Sequence, residues 1–132
     1  MPLPTIPYAD AEAAVIDYLT PIAVSNDVPI SVRGAGTRFI RVRRVGGVDF
    51  TPNHDRPTLD VLVWHDSDRT RMALANALWA ALRAANNDAV GDPPHAVLLY
   101  DATVLGPGQM PDPADATKAM CMFTVSMIVR PF

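Results

Sequence analysis

Lysine is almost missing from this 132-residue sequence, where Lys118 stands beside ten arginines. That scarcity, with a formal net charge of −3, excludes the Lys-rich, broadly basic surface that draws proteins onto nucleic acid. Cysteine is equally scarce. Cys121 is the single one, so no internal disulfide can form, and its neighbours Met120, Met122, Phe123 and Val125 mark it as a small buried apolar residue in a reducing compartment. No apolar run reaches the roughly 20 residues that span a bilayer, because Asp, Arg or Pro breaks each one. The first residues, MPLPTIPYADAE, lack a basic segment leading into an apolar stretch, so no secretion signal is expected.

Chemical motifs are missing too. His54, His65 and His95 stand in separate segments with no partner at metal-ligand spacing, and a zinc site would need more donors. No serine occupies a Gly-x-Ser-x-Gly turn, and Ser67 is better placed as a helix cap. Gly34-Ala35-Gly36 is followed by a strand pattern rather than by the rest of a dinucleotide loop and a helix. The paired acids Asp66 and Asp68 suit a helix N-terminus without catalysis. With no convergent polar cluster in view, the expectation is a protein that is not an enzyme and holds neither cofactor nor metal.

What is present organises around Arg56–Ala85. Leu59, Val61 and Val63 alternate with Asp60, Leu62 and Trp64, which predicts a central strand with apolar groups on both faces. Asp66-Ser67-Asp68 supplies a cap. From Arg69 to Ala85 neither Gly nor Pro interrupts, and Leu74, Ala75, Leu78, Ala81, Leu82 and Ala85 recur at the spacing of one buried helical stripe. An earlier helix is expected from Tyr8 to about Ile22, burying Ala11, Ala14, Val15, Tyr18 and Leu19 and ended by Pro21 and Asn26-Asp27. Strands are expected over Val28–Arg33, Phe39–Val45, His95–Leu105 (as one strand or a pair) and Ala119–Arg130. Residues 48–57, 86–94 and 106–117 carry Pro, Gly, Asn and Asp and are read as loops, and Met1–Pro7 as an extended arm. The fold class that follows is α+β, in one domain over 1–132, with two helices packed on one face of a mainly antiparallel sheet.

The unusual feature is a cluster of five arginines between Arg33 and Arg44. In Arg38-Phe-Ile-Arg-Val-Arg-Arg, Ile40 and Val42 take one face, Arg41 and Arg43 the other. Three readings stand open: a solvated strand face partly paired with Asp60, a subunit interface where arginine favours bidentate contact with carboxylates, or direct phosphate binding. On the long helix Met72, Trp79 and Arg83 lie off the buried stripe, so Trp79 either widens the core or marks a partner surface. Arg38, Arg41, Arg43, Arg44, Trp79 and Arg83 are therefore the interface candidates.

Five strings in order, DAEAAVIDYL, VPISVRG, FIRVRRVGG, DRPTLDVLVWHDSDRTRMALANALWAAL and TVSMIVRPF, resemble the tail terminator (tail completion) proteins of long-tailed bacteriophages, especially those of actinobacterial hosts. The resemblance covers nearly the whole chain and rests on order and spacing, since none of the strings is a catalytic motif. It implies a small α+β virion protein, assembled in the host cytoplasm into a homo-oligomeric, hexameric ring on the end of the tail tube. Such a ring stops tube polymerisation and provides the surface that docks on the head connector. The implied partners are further copies of the chain, the tail tube protein and head–tail connector proteins, with genomic DNA passing through the lumen without specific binding and no membrane involved. By position, FIRVRRVGG and the loop after it match a region of inter-subunit and tube contacts. A head–tail connector, neck or tail tube subunit shares much of this pattern, and a small ligand-binding or hydrolase α+β domain is the reading from another class.

Overall fold

The computed structural model describes residues 10–33, 36–51, 54–85, 88–91, 97–104, 106–112 and 115–131. The arm Met1–Pro7 and His95 lie outside the described residues. The chain forms one α+β domain of two helices and a seven-stranded, mostly antiparallel sheet curled into a half-barrel.

The first helix, α1 (Ala11–Ser25), starts where the Asp10 carboxylate accepts a hydrogen bond from the Ala13 N–H at 3.0 Å. It runs a turn past its expected end. Pro21 removes one helical hydrogen bond, but Ile22 and Ala23 pack against the core and hold the helix together beyond it. Asn26 then caps it, and Asp27 takes a left-handed φ of 54°. Strand β1 (Ile30–Ser31) is short and pairs in parallel with β2 (Phe39–Thr51), Ile30 opposite Ile40.

β2 and β3 (His54–Trp64) form a long antiparallel hairpin, and here the structure corrects the expected loop over residues 48–57. The strand does not close at Gly46-Gly47. Instead the register shifts between Arg44 and Gly46 and pairing resumes, with Gly47 opposite Pro57 and Val48 opposite Arg56. Gly47 makes this possible: its φ is +131°, and a Cβ there would lie 2.8 Å from Pro57 Cα. Pro57 has no N–H to give a neighbouring strand. The ladder between β3 and the last strand accordingly passes from Thr58↔Ser126 to Asp55↔Val129 across it.

Helix α2 (Asp68–Ala84) follows, capped by Ser67, whose side chain accepts from the Thr70 N–H. Leu74, Ala75, Leu78, Leu82 and Ala85 are buried, as the stripe predicts, and Ala81 is half-buried. Two further short strands lie in segments read as loops from their Pro and Gly content: β4 (Asp88–Val90) and β6 (Gly108–Asp112). Between them is β5 (Val97–Val104), and the chain closes on β7 (Asp115–Pro131). The sheet order is β1-β2-β3-β7-β5-β4, with β6 pairing the first half of β7. β7 has β3 along one side, and along the other β6 beside Ala119–Met122, then β5 beside Val125–Pro131.

The core lies between the helices and one sheet face. Ile40, Val42, Leu59, Val61, Val63, Cys121, Phe123, Val125, Met127 and Val129 alternate along their strands to reach it. Tyr18 ties the helices together, its hydroxyl donating to the Ala81 carbonyl at 3.0 Å. On the opposite face Leu62, Trp64 and Met120 form a second, smaller cluster with Phe39, Met110 and Met122 against it. The double-faced apolar pattern of β3 thus has two physical destinations. Among the described residues, no helix is long and apolar enough to cross a membrane.

Candidate functional site

Arg38, Arg41, Arg43 and Arg44 lie on or beside β2, near one edge of the sheet, but they are not equivalent. Ile40 and Val42 point into the core, fully buried, so Arg41 and Arg43 emerge on the other face. Arg43 is exposed. It stands opposite Asp60 in the register, yet Asp60 accepts from the Thr124 hydroxyl at 2.8 Å, and among the described residues Arg43 has no ion pair. Arg41 is half-buried, and its Nε donates to the Val32 carbonyl at 3.3 Å.

Arg44 is taken up inside the subunit. The bulge turns its guanidinium back along the hairpin onto Asp55, a carboxylate only 1% exposed. Both nitrogens of the fork engage both oxygens, Nη2 to Oδ1 at 2.9 Å and Nη1 to Oδ2, while Nε donates to the Gly46 carbonyl at 3.0 Å. The Arg44 backbone N–H donates to Glu12 on α1 at 3.0 Å. As an interface candidate Arg44 is therefore occupied by its own chain.

Arg38, just ahead of β2, pairs with Asp66 on the turn before α2, both side chains about half exposed. The hydrogen bond from Arg38, with its charge, holds the Asp66 carboxyl below the usual carboxylate range. A carboxyl lowered in the folded state stabilises above the ordinary carboxylate pKa, and the contribution is lost as pH falls through the folded value. Arg38→Ala is expected to return Asp66 towards its ordinary value. An NMR titration that finds Asp66 unmoved in the variant would mean that Arg38 is not the cause.

On α2, Trp79 packs half-buried against the main core, and the Arg83 guanidinium lies 4.8 Å above its ring centroid. Met72 packs there as well. Trp79 thus widens the core contact and its outer side is occupied by Arg83. The Trp79 Nε1–H is buried with no hydrogen-bond partner among the described residues.

One arrangement was not expected from the sequence. A cleft of about 550 Å³ opens beside the N-terminus of α2, where Phe39, Trp64, Asp66, Asp68, Arg71 and Asp112 meet, with Lys118 at its wall. This corrects the expectation that no polar groups converge. The Phe39 and Trp64 rings stack with centroids 4.2 Å apart, and the Trp64 Nε1–H donates to Asp112 Oδ2 at 2.9 Å. Arg71, 5% exposed, donates to the His65 carbonyl at 2.8 Å, to Gln109 Oε1 at 3.2 Å and to Asp68. His65 Nδ1 accepts from the Asp66 N–H at 2.8 Å. Arg71 braces α2 against the end of β3 and against β6, and Asp66, Asp68 and Asp112 each have a partner within the chain. Among the described residues no group of three or more His, Cys, Asp or Glu is disposed to hold a metal ion. Cys121 stays buried beneath, where loss of solvation pushes its thiol pKa up and keeps it in the unreactive neutral form. The signal for this cleft in the sequence is faint, since its walls come from segments scattered between Gly36 and Ala119.

The fold and these contacts define a small α+β half-barrel with an arginine-bearing strand near one sheet edge and a braced polar cleft at the head of its second helix. No protein-family model matches the chain, and no curated protein matches it significantly.

Proposed function

We propose that this chain is a structural virion protein that forms a ring capping the tail tube of a long-tailed bacteriophage. The ring ends tube polymerisation and offers the docking surface for the head connector. The observation that carries the reading is the placement of FIRVRRVGG. Its Ile40 and Val42 are consumed by the core, while Arg43, Val45, Gly46 and Gly47 stand exposed on β2, which among the described residues has β3 along one side and only the two-residue β1 along the other. A strand so placed suits contact with other subunits, the role that the resemblance assigns to this stretch.

Negative-stain images and the solution mass of the purified chain test this. Closed rings of uniform size, six copies each, are expected. Stacked tubes would make the chain a tube subunit instead, and a monomer at every concentration would remove the ring reading.

The cleft beside Trp64 favours one other reading, a small ligand-binding domain, because its volume falls in the range of small-molecule sites. Against it, Asp66, Asp68, Arg71 and Asp112 already bond one another or their neighbours. A monomeric chain would favour it over the ring.

A further inference from the structure

On the side of β2 away from β3, β1 pairs Ile40 and Arg41 and no residue beyond them. Ile40 sends its N–H to this side, where the Pro29 carbonyl accepts it at 2.8 Å. Backbone groups alternate in direction along a strand, so the N–H of Arg44, an even number of residues on and ahead of the bulge, points the same way. Among the described residues no strand meets it there. It donates instead to Glu12 Oε2 at 3.0 Å, from the first turn of α1. The Arg44 guanidinium is taken by Asp55, so what Glu12 accepts is the backbone donor of an edge strand and not the side-chain charge. A carboxylate accepts hydrogen bonds and does not donate them. It therefore satisfies this N–H while offering nothing that would extend the sheet. An edge left open is otherwise a template for any strand that reaches it.

We propose that Glu12 is a latch on this edge, an autoinhibitory contact that keeps the free subunit from adding a strand of another copy to β2. The inference rests on the ring reading and deepens it. Subunits that join along β2 must first displace the Glu12 carboxylate, because the Arg44 backbone has a single N–H to give. A hydrogen bond to a charged acceptor is stronger than one between neutral groups, so the latched state opposes association by the free energy needed to open it. The latch is also displaceable. Glu12 is half-buried, so its carboxylate returns to water at little cost, while Ala11, Ala14 and Val15 hold α1 in the core. Opening moves one side chain and leaves the helix in place.

Glu12→Ala removes the latch and leaves the Arg44–Asp55 pair and the exposed Arg43 untouched. With native circular dichroism retained, the variant is expected to self-associate more tightly than the wild type, on the order of 10-fold in dissociation constant by sedimentation. A side chain that merely tied α1 to the sheet would give another result, a less stable chain that assembles no better, and that overturns the latch. The wild type judges the ring reading separately. Rings in the wild type with no tighter assembly in Glu12→Ala overturn the latch alone. Wild-type monomers beside an associating variant uphold the latch and remove the ring, and monomers in both remove both. Should Glu12→Ala lose its native circular dichroism, Glu12→Gln, which keeps the length without the charge, is measured in its place by the same criteria. Hydrogen exchange at the wild-type Arg44 amide is a second measurement: it should be slower in the assembly than in the free chain, and equal rates overturn the inference.

Discussion

Leu78→Ala is expected to lower the unfolding free energy by about 2–5 kcal/mol, the largest loss of any single substitution considered for this chain. Leu78 is fully buried in the middle of α2, with Leu74, Ala75 and Leu82 around it on the same stripe and the curled sheet beneath. Truncation removes three carbons from water-excluded space, and the sheet holds the helix too firmly for the gap to collapse. The neighbouring position is the control: Asn76 is exposed on the other side of the helix, and Asn76→Ala should change stability by no more than about 0.5 kcal/mol. Denaturant unfolding of both variants checks this. A Leu78→Ala loss under about 0.5 kcal/mol would mean that the helix packs by another face.

The second large effect is expected at the hairpin. Arg44→Met should destabilise by about 2–3 kcal/mol, because it leaves the Asp55 carboxylate buried without its cation. Fully buried pairs broken in this way lose about 3–5 kcal/mol, but the Arg44 side chain is 35% exposed and water would reach part of the site. The loss belongs to the abandoned charge and not to the absent arginine. Adding Asp55→Leu to Arg44→Met should therefore restore a good part of the stability, as when a buried ion pair is replaced by apolar groups. If the double variant is as unstable as the sum of its singles, the two residues do not act as a pair. The result also bears on assembly, since Arg44 fixes the bulge next to Arg43 and Glu12 on α1 holds its backbone. A loosened hairpin would blur the edge that the proposed neighbour meets.

Much of this structure was legible in the sequence wherever periodicity and capping act within one segment. β3 was readable because Leu59, Val61 and Val63 alternate with Leu62 and Trp64. α2 was readable because Ser67 caps an uninterrupted run of helix formers, and β7 because every second residue from Cys121 to Val129 is apolar. Those signals are local: the same side chain that sets the backbone preference also faces the core. What could not be read was the distal hairpin and β6. Pro57, Gly46, Gly47 and Pro111 argue for loops by their intrinsic preferences, and only pairing with a partner strand overrides them. The hairpin hid its own consequence, since Arg44 and Asp55 lie eleven positions apart in the sequence and meet only once the strands are in register.

The candidate surface divides in the same way. Alternation in Phe39–Arg43 by itself determined which side chains face the core and which emerge, because a strand has only two faces. Which emerging arginine is free was decided by tertiary structure alone: Arg38 meets Asp66, Arg44 meets Asp55, and Arg43 is left exposed. The cleft at Trp64 is wholly a product of folding, as its walls come from strands and a helix end brought together by long-range pairing. The sequence by itself determined the class of fold, the buried stripe of α2 and the two faces of β3. Which strands lie at the sheet edges needed the strand order. Residues separated in the chain acquire a common edge only when hydrogen bonding across the sheet places their strands side by side.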